Sequence, residues 1–256
     1  MAKVYLFALL GLLVAACGSG NGGASTTAPT STTTSAVSPT TTVARSTTTT
    51  ALATTTTSPV TTSSTLAGTP IDFGPAEGDI LIVIGVAHDD ILNLRVGPGV
   101  DARILDEIPP TFDELIAQGN TRELPRSFWI EVEYEDVVGW VNLSYVGYPG
   151  TVIDETAHVV DELGGYPTNA TMTGLAEEVA AVFAQDDEPG SAVVQVTPVS
   201  EGDLAEVTYD VIGLADDSLR GLRLHVFAEE GANGFTLSNL EVLVICGRGV
   251  DEDVCV

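Results

Sequence analysis

Nucleophiles, bases and metal ligands are the residues that do chemistry, and this chain of 256 residues carries few of them at productive spacing. It has three histidines. His88 precedes the pair Asp89-Asp90, His158 falls on a predicted helix near Asp154 and Asp161, and His225 falls on the polar face of a predicted strand near Arg223. No serine lies in a G-x-S-x-G setting, so acyl transfer lacks its usual nucleophile elbow. Neither H-E-x-x-H nor an EF-hand loop occurs. The acid runs Asp186-Asp187, Asp216-Asp217 and Asp251-Glu252-Asp253 lack the glycine-centred spacing of a calcium loop and read as solvated charge. Nothing selects a pair of carboxylates for glycoside hydrolysis. The expectation is a non-enzymatic protein with no catalytic residue, metal or cofactor. A hydrolase reading would return if His158 or His225 stood within hydrogen-bond reach of a carboxylate in a cleft.

Charge narrows the partners. The chain has 36 Asp plus Glu against nine Lys plus Arg, a formal net charge of −27, and no acid precedes Asp72. So acidic a surface repels phosphate backbones, which excludes nucleic acid as a partner. Lys3 is the only lysine and lies in a leader-like segment, so a phosphate-cradling lysine is missing from everything downstream.

Residues 1–16 hold Lys3 followed by an apolar run from Val4 to Ala16. That run is shorter than the about 20 residues needed to span a bilayer and fits the core of a secretory signal. Leu13-Val14-Ala15-Ala16-Cys17 resembles the bacterial lipobox. The resemblance implies cleavage before Cys17, lipidation of Cys17, and a protein held on the outer face of the cell membrane. Residues 17–70 form a Thr/Ser/Ala/Pro tract whose only charge is Arg45. With almost no apolar side chains to bury, it is expected to be a disordered stalk, open to O-glycosylation, with an r.m.s. reach of roughly 40 Å.

From Gly78 onward strand signals follow closely. Ile80–Val86 is a β-branched apolar run. Ile91–Val96 alternates, with Leu92, Leu94 and Val96 on one face and Asn93 and Arg95 on the other, and stops at Gly97-Pro98-Gly99. Further strands are predicted at Arg103–Ile108, Trp129–Tyr134 and Val137–Val141, the last two joined through Glu135-Asp136. Five short strands in about 70 residues point to a small β-barrel over residues 76–149. Leu92-Asn93-Leu94-Arg95-Val96-Gly97-Pro98-Gly99 resembles the L-N-V-R-x-G-P motif of bacterial SH3 domains. Trp129-Ile130-Glu131-Val132 is similar to their W-x-x-V strand, and Gly139-Trp140-Val141 with Tyr145-Val146 to their closing segment. The likeness covers less than a third of the chain and departs from the family in the long connection between Pro110 and Phe128. It implies a module that binds peptidoglycan or another envelope component. Trp129, Trp140, Tyr145 and Arg95 are the candidate ligand residues. Burial in a barrel core competes as the role of both tryptophans, and bracing of the Gly97 turn as the role of Arg95.

Residues 151–256 change period. Apolar positions Ala157, Val160 and Leu163 predict one helix over 154–163. Met172, Leu175, Ala176, Val179, Val182 and Phe183 predict a second over 171–185, capped by Thr171 or Thr173. Four alternating strands follow, at 192–199, 205–211, 222–227 and 235–246. The expected unit is an α+β domain of two helices packed on a four-stranded antiparallel sheet with its other face wet; the order of elements also admits a cone-shaped NTF2-like fold. In an exported protein Cys246 and Cys255 are expected to pair as a structural disulfide. The fold expected for the whole chain is therefore multi-domain: signal peptide, disordered linker, small SH3-like β-barrel, α+β domain. Its expected function is envelope binding by the barrel, with the membrane as partner through Cys17. The alternative places a small-ligand or protein-binding carrier or inhibitor activity in residues 151–256.

Overall fold

The computed structural model describes residues 65–184, 191–200, 202 and 204–256, all within one compact unit. Cys17 and the segments 1–16 and 17–64 lie outside the described residues.

Strands β1 (Thr69–Ile71), β2 (Ile80–Val83), β3 (Leu92–Arg95) and β4 (Ile104–Ile108) come first. They are followed by β5 (Leu115–Leu124), β6 (Ser127–Tyr134) and β7 (Val137–Asn142). A 3-10 turn over Leu143–Tyr145 leads into β8 (Val146–Asp154). Helix α1 (Thr156–Glu162), the short β9 (Thr168–Asn169) and helix α2 (Met172–Phe183) come next. The chain ends with β10 (Ala192–Gln195), β11 (Ala205–Ile212), β12 (Leu219–Gly231) and β13 (Gly234–Cys246), then the small hairpin of β14 (Val250–Asp251) and β15 (Val254–Cys255).

The local signals explain most of these elements. Alternation in Leu92-Asn93-Leu94-Arg95 buries the two leucines and leaves Asn93 and Arg95 half-buried on the other face. Glu135 and Asp136 take φ values of 46° and 67°, the paired left-handed conformation that matches the twist of a two-residue hairpin. Thr171 caps α2, its Oγ1 accepting from the Gly174 amide at 3.0 Å. Five α2 side chains, Met172, Leu175, Ala176, Val179 and Ala180, enter one core with Val207, Tyr209, Leu224, Val226 and Leu240.

The sequence-based fold is overturned by the ladder between strands. Instead of a separate small barrel followed by an α+β domain or a cone, the described residues form one 13-stranded sheet: eleven strands follow the path β10-β11-β12-β13-β8-β2-β5-β6-β7-β3-β4, with β1 paired to β5 and β9 to β13 off it. The strand β8 covers the expected boundary at residues 149–151 and makes the join. Val146 and Gly147 pair with Val83 and Ile82 of β2, while Tyr148 to Asp154 pair along β13 from Cys246 to Glu241. Successive segments of one strand thus pair with strands on either side of the expected boundary, so the ladder runs across it.

The partner strand β2 shows why the join is stable. Leu81 and Val83 enter the core that also holds Leu94, Ile108, Leu115, Ile130 and Val141. From the opposite face Ile82 and Ile84 pack on Ile245, with Ile212 and Leu243 beside them. Burial on both faces is the physical reason for an unbroken apolar run where an alternating one would suit a barrel wall.

Two smaller expectations are corrected as well. The connection between Pro110 and Phe128 is largely the ten-residue strand β5, which pairs with β6 on one side and with β1 and β2 on the other. The expected wet face of β11 and β12 is covered at its centre, because Asp210 and Arg223 are 0 % and 5 % exposed.

Candidate functional site

Asp210 and Arg223 sit opposite each other on β11 and β12. Arg223 donates Nε to Asp210 Oδ1 at 2.8 Å and Nη2 to Asp210 Oδ2 at 3.0 Å, a two-point pairing of guanidinium with carboxylate. The pair then reaches across the sheet. Arg223 Nη2 also donates to the carbonyls of Val83 at 2.6 Å and Pro110 at 3.2 Å, and Asp210 Oδ2 accepts from the Gly85 amide at 2.7 Å. All these groups hydrogen-bond, which a buried charge pair requires. The result fixes the loop that follows β2, where Gly85 has a φ of 69°.

That loop forms one wall of a cleft of about 460 Å³. Val86 and Ala87 stand on this wall, with Val194 of β10 nearby, and the His88 amide ties the loop to the Gln195 carbonyl at 2.9 Å. Asn93 and Arg95 of β3, Trp129 of β6 and Tyr145 line other parts of it. Each is held by its own element. Arg95 Nη1 donates to the Ala102 carbonyl at 2.7 Å, across the Gly97-Pro98-Gly99 turn. Trp129 Nε1 donates to Ser127 Oγ at 3.0 Å. Tyr145 ends the 3-10 turn capped by Asn142, whose Oδ1 accepts from the Ser144 amide at 3.0 Å, and the Tyr145 carbonyl accepts from the Ile84 amide at 3.0 Å.

Three of the four residues singled out as ligand contacts, Arg95, Trp129 and Tyr145, therefore line one cleft. Trp140 is not among its lining residues, and both tryptophans are only 3 % exposed, whereas Tyr145 is 42 % exposed. The aromatic surface available there belongs chiefly to Tyr145. Asp90 and Arg95 bring one charge of each sign, and Asn93 and Asn142 bring side-chain amides. Such a lining offers donors and acceptors beside apolar walls without a net charge. Asn142, Val86 and Val194 carried no sequence signal as site residues. Val194 is more than 40 residues from the others in sequence and arrives only through the strand order.

Among the described residues no side-chain hydrogen bond joins His158 or His225 to a carboxylate. His158 meets the Phe183 ring edge-on at 5.8 Å between centroids. His225 Nδ1 lies 3.4 Å from Thr208 Oγ1, and burial, followed by the neighbouring Arg223 charge, pushes its pKa down against Glu241, Asp210 and Glu206. Burial, with Asp79 close by, pushes the Tyr148 hydroxyl well up, and it donates to Asp79 Oδ2 at 3.2 Å. No group of three or more His, Cys, Asp or Glu able to hold a metal occurs among the described residues. Cys246 and Cys255 form a disulfide with their Cα atoms 5.1 Å apart. No helix among the described residues is long and apolar enough to cross a membrane.

Comparison with family models, with curated proteins and with solved structures found no match.

Proposed function

We propose that this is a non-enzymatic binding protein of the cell envelope, lipid-anchored through Cys17, which takes an envelope component in the cleft of Arg95, Trp129 and Tyr145. The observation carrying this reading is that one cleft gathers Asn93 and Arg95 of β3, the Asn142 amide and an exposed tyrosine. The likeness of Leu92–Gly99 and Gly139–Val141 to bacterial SH3 motifs lends it support at the level of sequence. Electrostatics select within the envelope. A protein of net charge −27 is repelled by anionic wall polymers, whereas a cleft with balanced charges has no such conflict with a neutral ligand. Hydroxyl- and amide-rich glycan of the peptidoglycan type is the favoured ligand, stacked on Tyr145 with its amides met by Asn93 and Asn142.

Sedimentation of the protein with purified peptidoglycan, followed by titration with soluble neutral glycan fragments, tests this. Retention at moderate salt is expected, and Tyr145→Ala should weaken binding about tenfold, the worth of one stacking contact, with an unfolding midpoint close to the parent's. No retention at low or moderate salt would remove the wall-binding reading. A carrier activity under α2 has less support, because the five inward side chains of that helix fill the space against the sheet.

A further inference from the structure

Arg220 stands outside the cleft and outside the Asp210–Arg223 pair. It is the extra residue of a β-bulge: the register between β12 and β13 passes from Leu219 opposite Cys246 to Gly221 opposite Ile245, leaving Arg220 without a partner in the ladder. Bulges re-aim a side chain, and they gather beside functional sites. The stem of Arg220 crosses β8 at Gly147, where a Cβ would come within 3.2 Å of Arg220 Cβ and 2.6 Å of Ile245 Cγ2. A glycine is the residue that leaves this passage open.

The guanidinium it delivers has no counter-charge. Arg220 Nε is buried without a hydrogen-bond partner, and among the described residues the side chain makes no ion pair. Burial pushes its pKa down, the response expected of a cation taken out of water without compensation. The buried Arg223, by contrast, bonds Asp210 and two carbonyls.

Arg220 opens into a groove of about 220 Å³ walled by Phe73, Phe128 and Leu143. The two phenyl rings meet edge-on at 6.5 Å, and both are exposed. Arg248 lies at the rim, paired with Asp217. The lining thus carries two guanidinium groups and one carboxylate, a net positive spot on a strongly acidic protein.

We propose that this groove is a second binding site, for a monocarboxylate bearing an aryl or similarly bulky apolar group. The carboxylate pairs with the terminal nitrogens of the Arg220 guanidinium, and the apolar group packs against the exposed surfaces of Phe73 and Phe128. A guanidinium fork matches a carboxylate in two-point geometry. Phosphate fits the same fork, but a second negative charge would face Asp217 and the acidic surround, so the single charge is favoured. Two sources share this chemistry: a free aryl acid and the terminal carboxylate of a peptide.

Titration of the full chain with 3-phenylpropanoate, N-acetyl-phenylalanine and the uncharged 3-phenylpropanamide, followed by amide and Arg Nε–H shifts in NMR spectra, tests the site. Saturable shifts at Arg220, Ser144 and Gly247 are expected with at least one carboxylate, and the tighter of the two identifies the source. The amide should bind at least tenfold more weakly. Arg220→Gln should cost at least tenfold in carboxylate affinity, and Arg103→Gln, on a residue away from the groove, nothing. Arg220→Met should keep or raise the unfolding midpoint while abolishing binding, since it removes a half-buried cation that makes no ion pair in the free protein and whose Nε is buried without a partner. Equal binding of amide and carboxylate, shifts that never saturate, or a lowered midpoint in Arg220→Met would overturn the proposal; the last would make Arg220 a structural residue.

Discussion

Charged side chains meet different fates within one sheet, and partners decide which. Asp210 and Arg223 are as buried as the leucines around them, yet both Asp210 oxygens and Arg223 Nε and Nη2 have hydrogen-bond partners, including three backbone groups from residues 83–110. Removing either side chain strands the other charge in a dry site. Arg223→Met and Asp210→Ala are each expected to lower the free energy of unfolding by about 3–5 kcal/mol, read from urea denaturation. The double variant should cost less than the sum of the singles by at least about 1 kcal/mol. Additive costs would mean that the pair does not act as a unit. From sequence these two residues occupied the polar face of an alternating strand, and alternation distinguishes faces without saying what covers them. Arg95 differs, because the residues that hold it are local: it bonds Ala102, seven positions away, across a turn that Gly97-Pro98-Gly99 announces.

Elements with short-range causes were legible. The β6–β7 hairpin follows from two left-handed turn residues, α2 from its 3.6-residue stripe and threonine cap, and β3 from strict alternation. Besides the short β1, β9, β14 and β15, two long strands were not. The strand β5 contains Gly119 at a φ of 70° and a register shift between Ala117 and Thr121, so its period is broken where a pattern would be sought. The strand β8 holds Gly147, Pro149 and Gly150, residues that ordinarily mark a linker. Its glycines instead permit close approach, since Cβ atoms there would run into Ile245 Cγ2 and the Val244 carbonyl. At the far end of β13 the disulfide from Cys246 to Cys255 closes the β14–β15 hairpin, which Thr151 Oγ1 holds to β8 through the Asp253 carbonyl at 2.9 Å. Replacing Cys255 with Ser is expected to cost about 2–3 kcal/mol, the value for so short a loop in the chain-entropy picture. Reductant should lower the parent's unfolding midpoint by a matching amount and leave the variant's unchanged.

At the scale of the whole molecule, the continuous ladder and the Asp210–Arg223 bonds predict cooperative unfolding of the described residues. Both tryptophans lie in β6 and β7, on the side of the sheet remote from α2. Their fluorescence should therefore change at the same denaturant concentration as the far-ultraviolet circular dichroism, which is dominated by all the strands together. Two separated transitions would restore the picture of independent domains. Net charge of −27 opposes compaction throughout, so both signals should move together to higher denaturant as salt screens the repulsion.

Composition and period alone determined the acidic, lysine-poor character of the chain, the strands and helix with local turn and cap signals, and the pairing of two cysteines nine residues apart. These depend on interactions within a few residues. The unbroken apolar run Ile80–Ile84 already held the clue to a strand buried on both faces. Which chain covers the second face is a long-range matter, settled by β13 and β11 more than 120 residues later. The cleft follows the same logic, since Val194 and the Gly85 loop meet Arg95 and Tyr145 only after the sheet has assembled. The Arg220 bulge exists only as a register between two strands. Tertiary structure decided these features because burial and strand pairing depend on what lies opposite, and a linear pattern carries no record of its partner.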